Sequence, residues 1–150
     1  MKIDFWFDPA CPWCWLTSRW VQTVAPLRSL EVTWRPISLF FKNDPEPDHR
    51  LYEPTLWSRN LLRVVEAVRK AGHEDRVGEL YTRFGTHIHH EGDIDFHVAD
   101  DLKALGLDPT LAAALDDEAF DDVIRAAMAE GFDLTGEDVG TPLIAFDGND

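Results

Sequence analysis

A short apolar strand that runs directly into a helix, with two cysteines at the junction, is the feature that most constrains this fold. Residues 3–7 form an apolar and aromatic run closed by an Asp-Pro pair, which indicates a buried strand. Apolar residues then recur at helical spacing over residues 13–24, and residues 30–39 alternate as a strand does. This order predicts a parallel βαβ unit with a right-handed crossover.

The rest of the chain predicts mostly helix. We expect the first helix to place Leu16, Trp20 and Val24 on its inner face and to stop at Pro26. After a loop rich in proline and aspartate, four amphipathic stripes follow, and Gly131 is expected to end the last of them. Residues 143–146 return to strand character, and the Asp-Gly pair at 147–148 is typical of a hairpin turn.

Composition places the chain among single-domain globular proteins. It has 150 residues, 45% of them hydrophobic, which is enough for a sizeable core. It contains no run of eighteen apolar residues and no basic start followed by a longer apolar stretch, so we expect neither a membrane span nor a secretory signal. The expected location is the cytoplasm, where a pair of cysteines is more often catalytic or metal-binding than a permanent cross-link.

The charge is concentrated in the second part of the chain. Of 28 acidic residues, 17 lie in residues 91–150, which contain only two of the 14 basic residues, Lys103 and Arg125. Such a surface repels nucleic acid and anionic membranes. The pattern is typical of a solvated acidic face, and a binding site for a cationic partner is the alternative.

The cysteine pair carries the chemistry. Cys11 lies where the first strand passes into the helix, so the helix dipole and unpaired N–H groups favour its thiolate, the form that attacks disulfides. Cys14 is one turn further on and is placed to resolve a mixed disulfide. Pro12 suits the first helical turn. We expect a Cys11 pKa between about 3.5 and about 7, the values of DsbA and thioredoxin.

Other uses of two cysteines fit less well. Structural zinc usually needs four ligands, and the histidines cluster only at His87, His89 and His90. We therefore expect no metal at the cysteines. A permanent disulfide would gain little from so short a loop. No glycine-rich phosphate loop is present, so we also expect no bound flavin or nicotinamide.

A Thr141-Pro142 pair before the last strand is the second signal. In a thioredoxin-type fold a cis proline enters this strand and faces the active-site sulfur. We therefore predict a cis bond here, with Thr141 lining the site.

Three stretches resemble a known family. Residues 4–15 resemble the start of DsbA-like proteins, and residues 16–20 and 136–142 are similar to the mycothiol-dependent nitroreductases within that group. The resemblance implies an α/β fold: a thioredoxin-like core (1–40 and 136–150), formed by the βαβ unit and a C-terminal β-hairpin half, with a helical insertion (41–135), all in a single domain. The family continues through a further strand and helix, which we expect to be absent from this chain.

The resemblance also implies a function. Mycothiol would reduce the disulfide of Cys11 and Cys14, and the dithiol would reduce disulfides or small electrophiles such as nitroaromatics. Cys11, Cys14 and Pro142 would be catalytic, and the substrate-binding residues would be Pro12, Trp13, Thr141 and His89.

Three alternatives to this function stay open. They are an oxidising enzyme of the same motif, an enzyme like the kappa-type glutathione transferases or hydroxychromene-carboxylate isomerases, and a non-enzymatic metal-binding module. The oligomeric state is not predicted.

Overall fold

A three-stranded mixed sheet forms the centre of the fold. The computed structural model describes residues 1–147. The sheet has the order β2-β1-β3, with β1 (Lys2–Phe7) parallel to β2 (Glu31–Pro36) and antiparallel to β3 (Leu143–Phe146). The predicted βαβ unit and the final strand are confirmed. The predicted hairpin turn at residues 147–148 includes Gly148, which lies outside the described residues.

Helices form most of the remaining chain. Six α-helices occur in the described residues, together with a π-helical turn and three short 3-10 segments. The α-helices are α1 (Pro12–Arg28), α2 (Leu39–Asn43), α3 (Tyr52–Lys70), α4 (Val77–Gly85), α5 (Val98–Ala104) and α6 (Asp121–Thr135). The π-helical turn covers Thr86–Glu91, and the 3-10 segments are Glu74–Arg76, Pro109–Asp116 and Glu118–Phe120.

Helix α1 differs from its prediction at its end and in its inner face. Pro26 lies inside the last turn, and the helix ends at Ser29, whose left-handed backbone (φ 52°) lets its N–H bond to the Ala25 carbonyl. Leu16 and Trp20 are 60% and 62% exposed, so the predicted inner face is wrong. The buried residues of α1 are Cys14, Trp15, Ser18 and Val21.

Two further boundaries correct the sequence interpretation. Strand β2 stops at Pro36, because the Ser38 hydroxyl accepts the Phe41 N–H and starts α2. Helix α6 runs past Gly131 to Thr135. A Cβ atom at Gly131 would lie 3.1 Å from both Trp6 and Leu143, so this glycine allows close packing of helix on sheet instead of ending the helix.

An aromatic cluster joins the helical region to the sheet. The Phe7 and Tyr81 ring centroids are 4.1 Å apart, and those of Phe5 and Trp34 are 5.0 Å apart. Tyr81 lies on α4, so α4 packs directly on the end of β1 that leads into the cysteines. Within residues 1–147, no helix combines the length and the apolar character that crossing a membrane requires.

Candidate active site

Cys11 is the N-cap residue of α1. Its Sγ accepts the backbone N–H of Cys14 at 3.2 Å, and its own N–H donates to the Asp8 carbonyl at 3.0 Å. An anionic sulfur at this position completes the hydrogen bonding of the helix start and faces the positive end of its dipole. Cys11 is only 4% exposed.

The pKa values of the two thiols are shifted in opposite directions. A hydrogen bond from the Cys14 thiol, with smaller contributions from Thr141 and the Cys14 N–H, outweighs burial and lowers the pKa of Cys11 to about 6. Burial, together with the hydrogen bond to the Cys11 sulfur and its charge, raises the pKa of Cys14 far above its usual range. Both residues are free thiols. The pair is therefore one ready thiolate and one protonated donor beside it.

Thr141, two residues before β3, lies against the Cys11 sulfur. Its Oγ1 lies 3.2 Å from the Cys11 Sγ, so its hydroxyl can donate to the thiolate. The Thr141–Pro142 bond is cis, which confirms the sequence prediction. Residues 130 positions apart in sequence thus meet at one sulfur.

We expect the alkylation rate of Cys11 to follow its thiolate fraction. The rate should be constant well above pH 6, where the thiol is ionised, and should fall about tenfold per pH unit below it. Thr141→Val removes a donor to the thiolate and should move the midpoint upward by about one pH unit. Iodoacetamide labelling across pH measures both profiles. A Cys11 midpoint above about 8, the range of an ordinary cysteine, would contradict this electrostatic account.

A buried carboxylate supports the loop before Cys11. Asp8 is fully buried and accepts the N–H groups of Ala10 and Leu39, both at 2.8 Å, and the hydroxyl of Ser58. Burial raises the pKa of Asp8, and these three donors oppose it. The Ser58 hydroxyl also accepts the Ala10 N–H at 3.0 Å. Helix α3 therefore holds the loop that carries the nucleophile, a role that sequence reasoning missed.

Trp15, directly after Cys14, is enclosed by the helical region. The Arg19 guanidinium lies 3.9 Å from the centre of its ring, and its indole N–H donates to His90 Nε2 at 3.0 Å. The ring of His89 stacks beside it, with centroids 5.6 Å apart. A Cβ atom at Gly85 would lie 2.1 Å from the indole, so only glycine fits there.

His89 contacts the active-site loop. Its Nε2 lies 2.8 Å from the Pro9 carbonyl, which can only accept, so this nitrogen carries the proton and donates it there. Burial lowers the pKa of His89, which favours the neutral ring. The predicted residue thus lies next to the site, with this N–H directed at backbone rather than at the cysteine sulfurs.

The remaining predicted residues lie at the surface of the motif. Pro12 is exposed at the first helical position, and Trp13 is 70% exposed. Among the described residues, the group placed to hold a metal ion is His87, Glu91 and Asp93, which includes neither cysteine.

Comparison with known families identifies this arrangement. The model of the Rv2466c-like family, described as mycothiol-dependent nitroreductase Rv2466c, matches residues 10–150. The chain belongs to this family. A curated relative from Mycobacterium tuberculosis, the uncharacterized protein Rv2286c, is 28% identical over 152 residues. That match covers 97% of this chain and 64% of the relative, so the chain spans less than two thirds of the relative's length.

Solved structures show the same fold as this member of the Rv2466c-like family. The cytosolic disulfide reductase DsbM from Pseudomonas aeruginosa, solved with GSH, superposes with a TM-score of 0.69 at 17% identity, covering 98% of this chain and 86% of that one. A putative protein disulfide isomerase from Nitrosomonas europaea gives 0.66 at 11% identity, covering 99% and 87%. The DsbA-like thioredoxin fold is confirmed.

Proposed function

We propose that this chain is a cytoplasmic thiol–disulfide oxidoreductase that mycothiol reduces and that in turn reduces disulfides or small electrophiles such as nitroaromatics. The observation that carries the proposal is the environment of the Cys11 sulfur, which accepts an N–H from its own helix and lies against Thr141. The pKa of the Cys11 thiol is about 6 in this environment. Family membership supports mycothiol as the co-substrate. The similar DsbM is described as cytosolic, which supports the location.

The two thiols divide the reaction. The Cys11 thiolate attacks one sulfur of a substrate disulfide, the S–S bond breaks, and the other half leaves as a thiolate. In the mixed disulfide the Cys11 sulfur is no longer charged. Its charge and its hydrogen bond from Cys14, two of the causes that raise the Cys14 pKa, are then removed. Cys14 can now ionise and attack Cys11, which releases the second substrate thiolate and leaves the Cys11–Cys14 disulfide.

Mycothiol would close the cycle. One mycothiol thiolate attacks the Cys11 sulfur and frees Cys14; a second attacks the mixed disulfide, releasing oxidised mycothiol and restoring the dithiol. We assign Pro12, Trp13 and Thr141 to substrate contact, Pro142 to the site opposite the sulfurs, and His89 to holding the loop before Cys11. Exposed Glu137 and Asp138, four and three residues before Thr141, offer acceptors to the mycothiol hydroxyl groups.

Glutathione is the alternative reductant, because the DsbM structure holds it. Glutathione carries net negative charge and mycothiol is essentially uncharged, so a protein of net charge −14 repels only the former. We expect mycothiol to reduce the oxidised protein severalfold faster at equal concentration and ionic strength. Stopped-flow measurement of both rate constants tests this. An equal or faster rate with glutathione would replace the mycothiol assignment by a general thioredoxin-linked role.

A further inference from the structure

A cavity of about 470 Å³ lies beside the active-site loop. Its wall includes Ala10, the residue before Cys11, so the cavity adjoins the peptide that leads into the nucleophile. Its remaining lining comes from the start of α3 and from the chain around the end of the π-helical turn: Glu53, Pro54, Trp57, Ile88, Ile94, Asp95 and Phe96. The volume is in the range of small-molecule sites.

The wall of this cavity is mainly apolar and aromatic. Trp57 and Phe96 meet edge to face, with centroids 5.7 Å apart. Ile94 is 58% exposed although it is a large aliphatic side chain. Such a surface favours the apolar or aromatic body of a small molecule, which would cover Ile94 on binding.

The charged groups of the cavity are all acidic. Glu53 and Asp95 are exposed, and neither has an ion-pair partner within residues 1–147. No lysine or arginine lines the cavity. Glu91, the last residue of the π-helical turn, and Asp93, two residues after it, lie on the same segment as Asp95 and add to the negative field. A positively charged group is therefore stabilised here, and a carboxylate is repelled.

We propose, on the basis of the proposed function, that this cavity selects cationic acceptor substrates: small molecules with an apolar body and an amine. The amine faces Glu53 and Asp95, and the body lies on Trp57 and Ile94. The reducible group then points toward Ala10 and the neighbouring Cys11. For a disulfide acceptor, two electrons pass from the Cys11 thiolate and the Cys14 thiol to the S–S bond. One released thiolate takes the proton that Cys14 loses, and the other takes a proton from water.

Two aromatic disulfides of equal size test the selectivity. One carries a carboxylate on each ring and the other an aminomethyl group, and each rate of oxidation of the reduced protein is divided by the rate of the same disulfide with dithiothreitol. We expect a preference for the cation of about tenfold at low salt, decreasing as salt screens the field. Glu53→Gln combined with Asp95→Asn should lower that preference about fivefold.

A matched double variant provides the control. Glu31→Gln with Asp133→Asn removes the same charge from exposed positions outside the cavity and should leave the preference nearly unchanged. Equal losses in both double variants, or equal normalised rates for the two disulfides, would overturn the cavity proposal and leave the proposed function standing. Failure of both disulfides to oxidise the dithiol would instead contradict the proposed function itself.

Discussion

Cys11→Ser is expected to reduce turnover by at least about a thousandfold, while Cys14→Ser accumulates a mixed disulfide on Cys11. The serine hydroxyl is not ionised at neutral pH, whereas the Cys11 thiol, with a pKa of about 6, is about nine-tenths thiolate at pH 7. Without Cys14 the first attack still proceeds, and the group that would release the second half of the substrate is missing.

Mass spectrometry of the intact variants distinguishes the two roles. The Cys14→Ser protein should carry one substrate thiol that dithiothreitol removes, and the Cys11→Ser protein should carry none, because the pKa of Cys14 is strongly raised by burial. An adduct on Cys14 of the Cys11→Ser variant would reverse the assignment. Circular dichroism of both variants checks that the fold is retained.

Gly85→Ala is expected to destabilise the protein by about 2 kcal/mol or more. At an unobstructed helical position the same change would stabilise by about 1 kcal/mol, because alanine has the higher helix propensity. Here the added Cβ would lie 2.1 Å from the Trp15 ring, which Arg19, His89 and His90 hold in place. The steric conflict therefore reverses the sign of the effect.

Urea unfolding curves measure this difference. Gly140→Ala is the matched control, since no atom lies within 4 Å of a Cβ added there, and it should change the free energy of unfolding by less than about 0.5 kcal/mol. A Gly85→Ala protein as stable as the parent, or more stable, would show that Trp15 can move aside. In that case the enclosure of Trp15 would be looser than its contacts indicate.

Local patterns were sufficient to predict the thiol pair and its surroundings. The strand, the helix start and the Thr141–Pro142 bond each depend on neighbouring residues, and all three occur as predicted. The buried face of α1 could not be predicted in the same way, because the helix sequence carries two apolar stripes. The stripe of Leu16 and Trp20 faces outward, and the stripe that contains Trp15 and Val21 is buried. Helical periodicity states that a face exists, and packing decides which face is buried.

Contacts between distant segments were beyond sequence reasoning. Asp8 and Ser58 are 50 residues apart, and their hydrogen bond requires α3 to lie against the active-site loop. An aspartate before a proline is typical of an exposed turn, so the sequence around Asp8 does not indicate that this side chain is fully buried. The same holds for Gly85. A side chain is excluded there only because the Trp15 ring of α1 packs against this position of α4.

The hydrogen bond of Ser58 to Asp8 limits how this active site can be engineered. The Cys-Pro-Trp-Cys segment contains the reacting atoms, but the loop before it is held by α3, which begins only at Tyr52. Grafting the four-residue motif into another thioredoxin scaffold would transfer the two cysteines without the Asp8 and Ser58 contacts that support their loop. A graft that keeps the chemistry also has to include α3. The unit to transfer is therefore the active-site loop together with the helix packed against it, and not the linear motif alone.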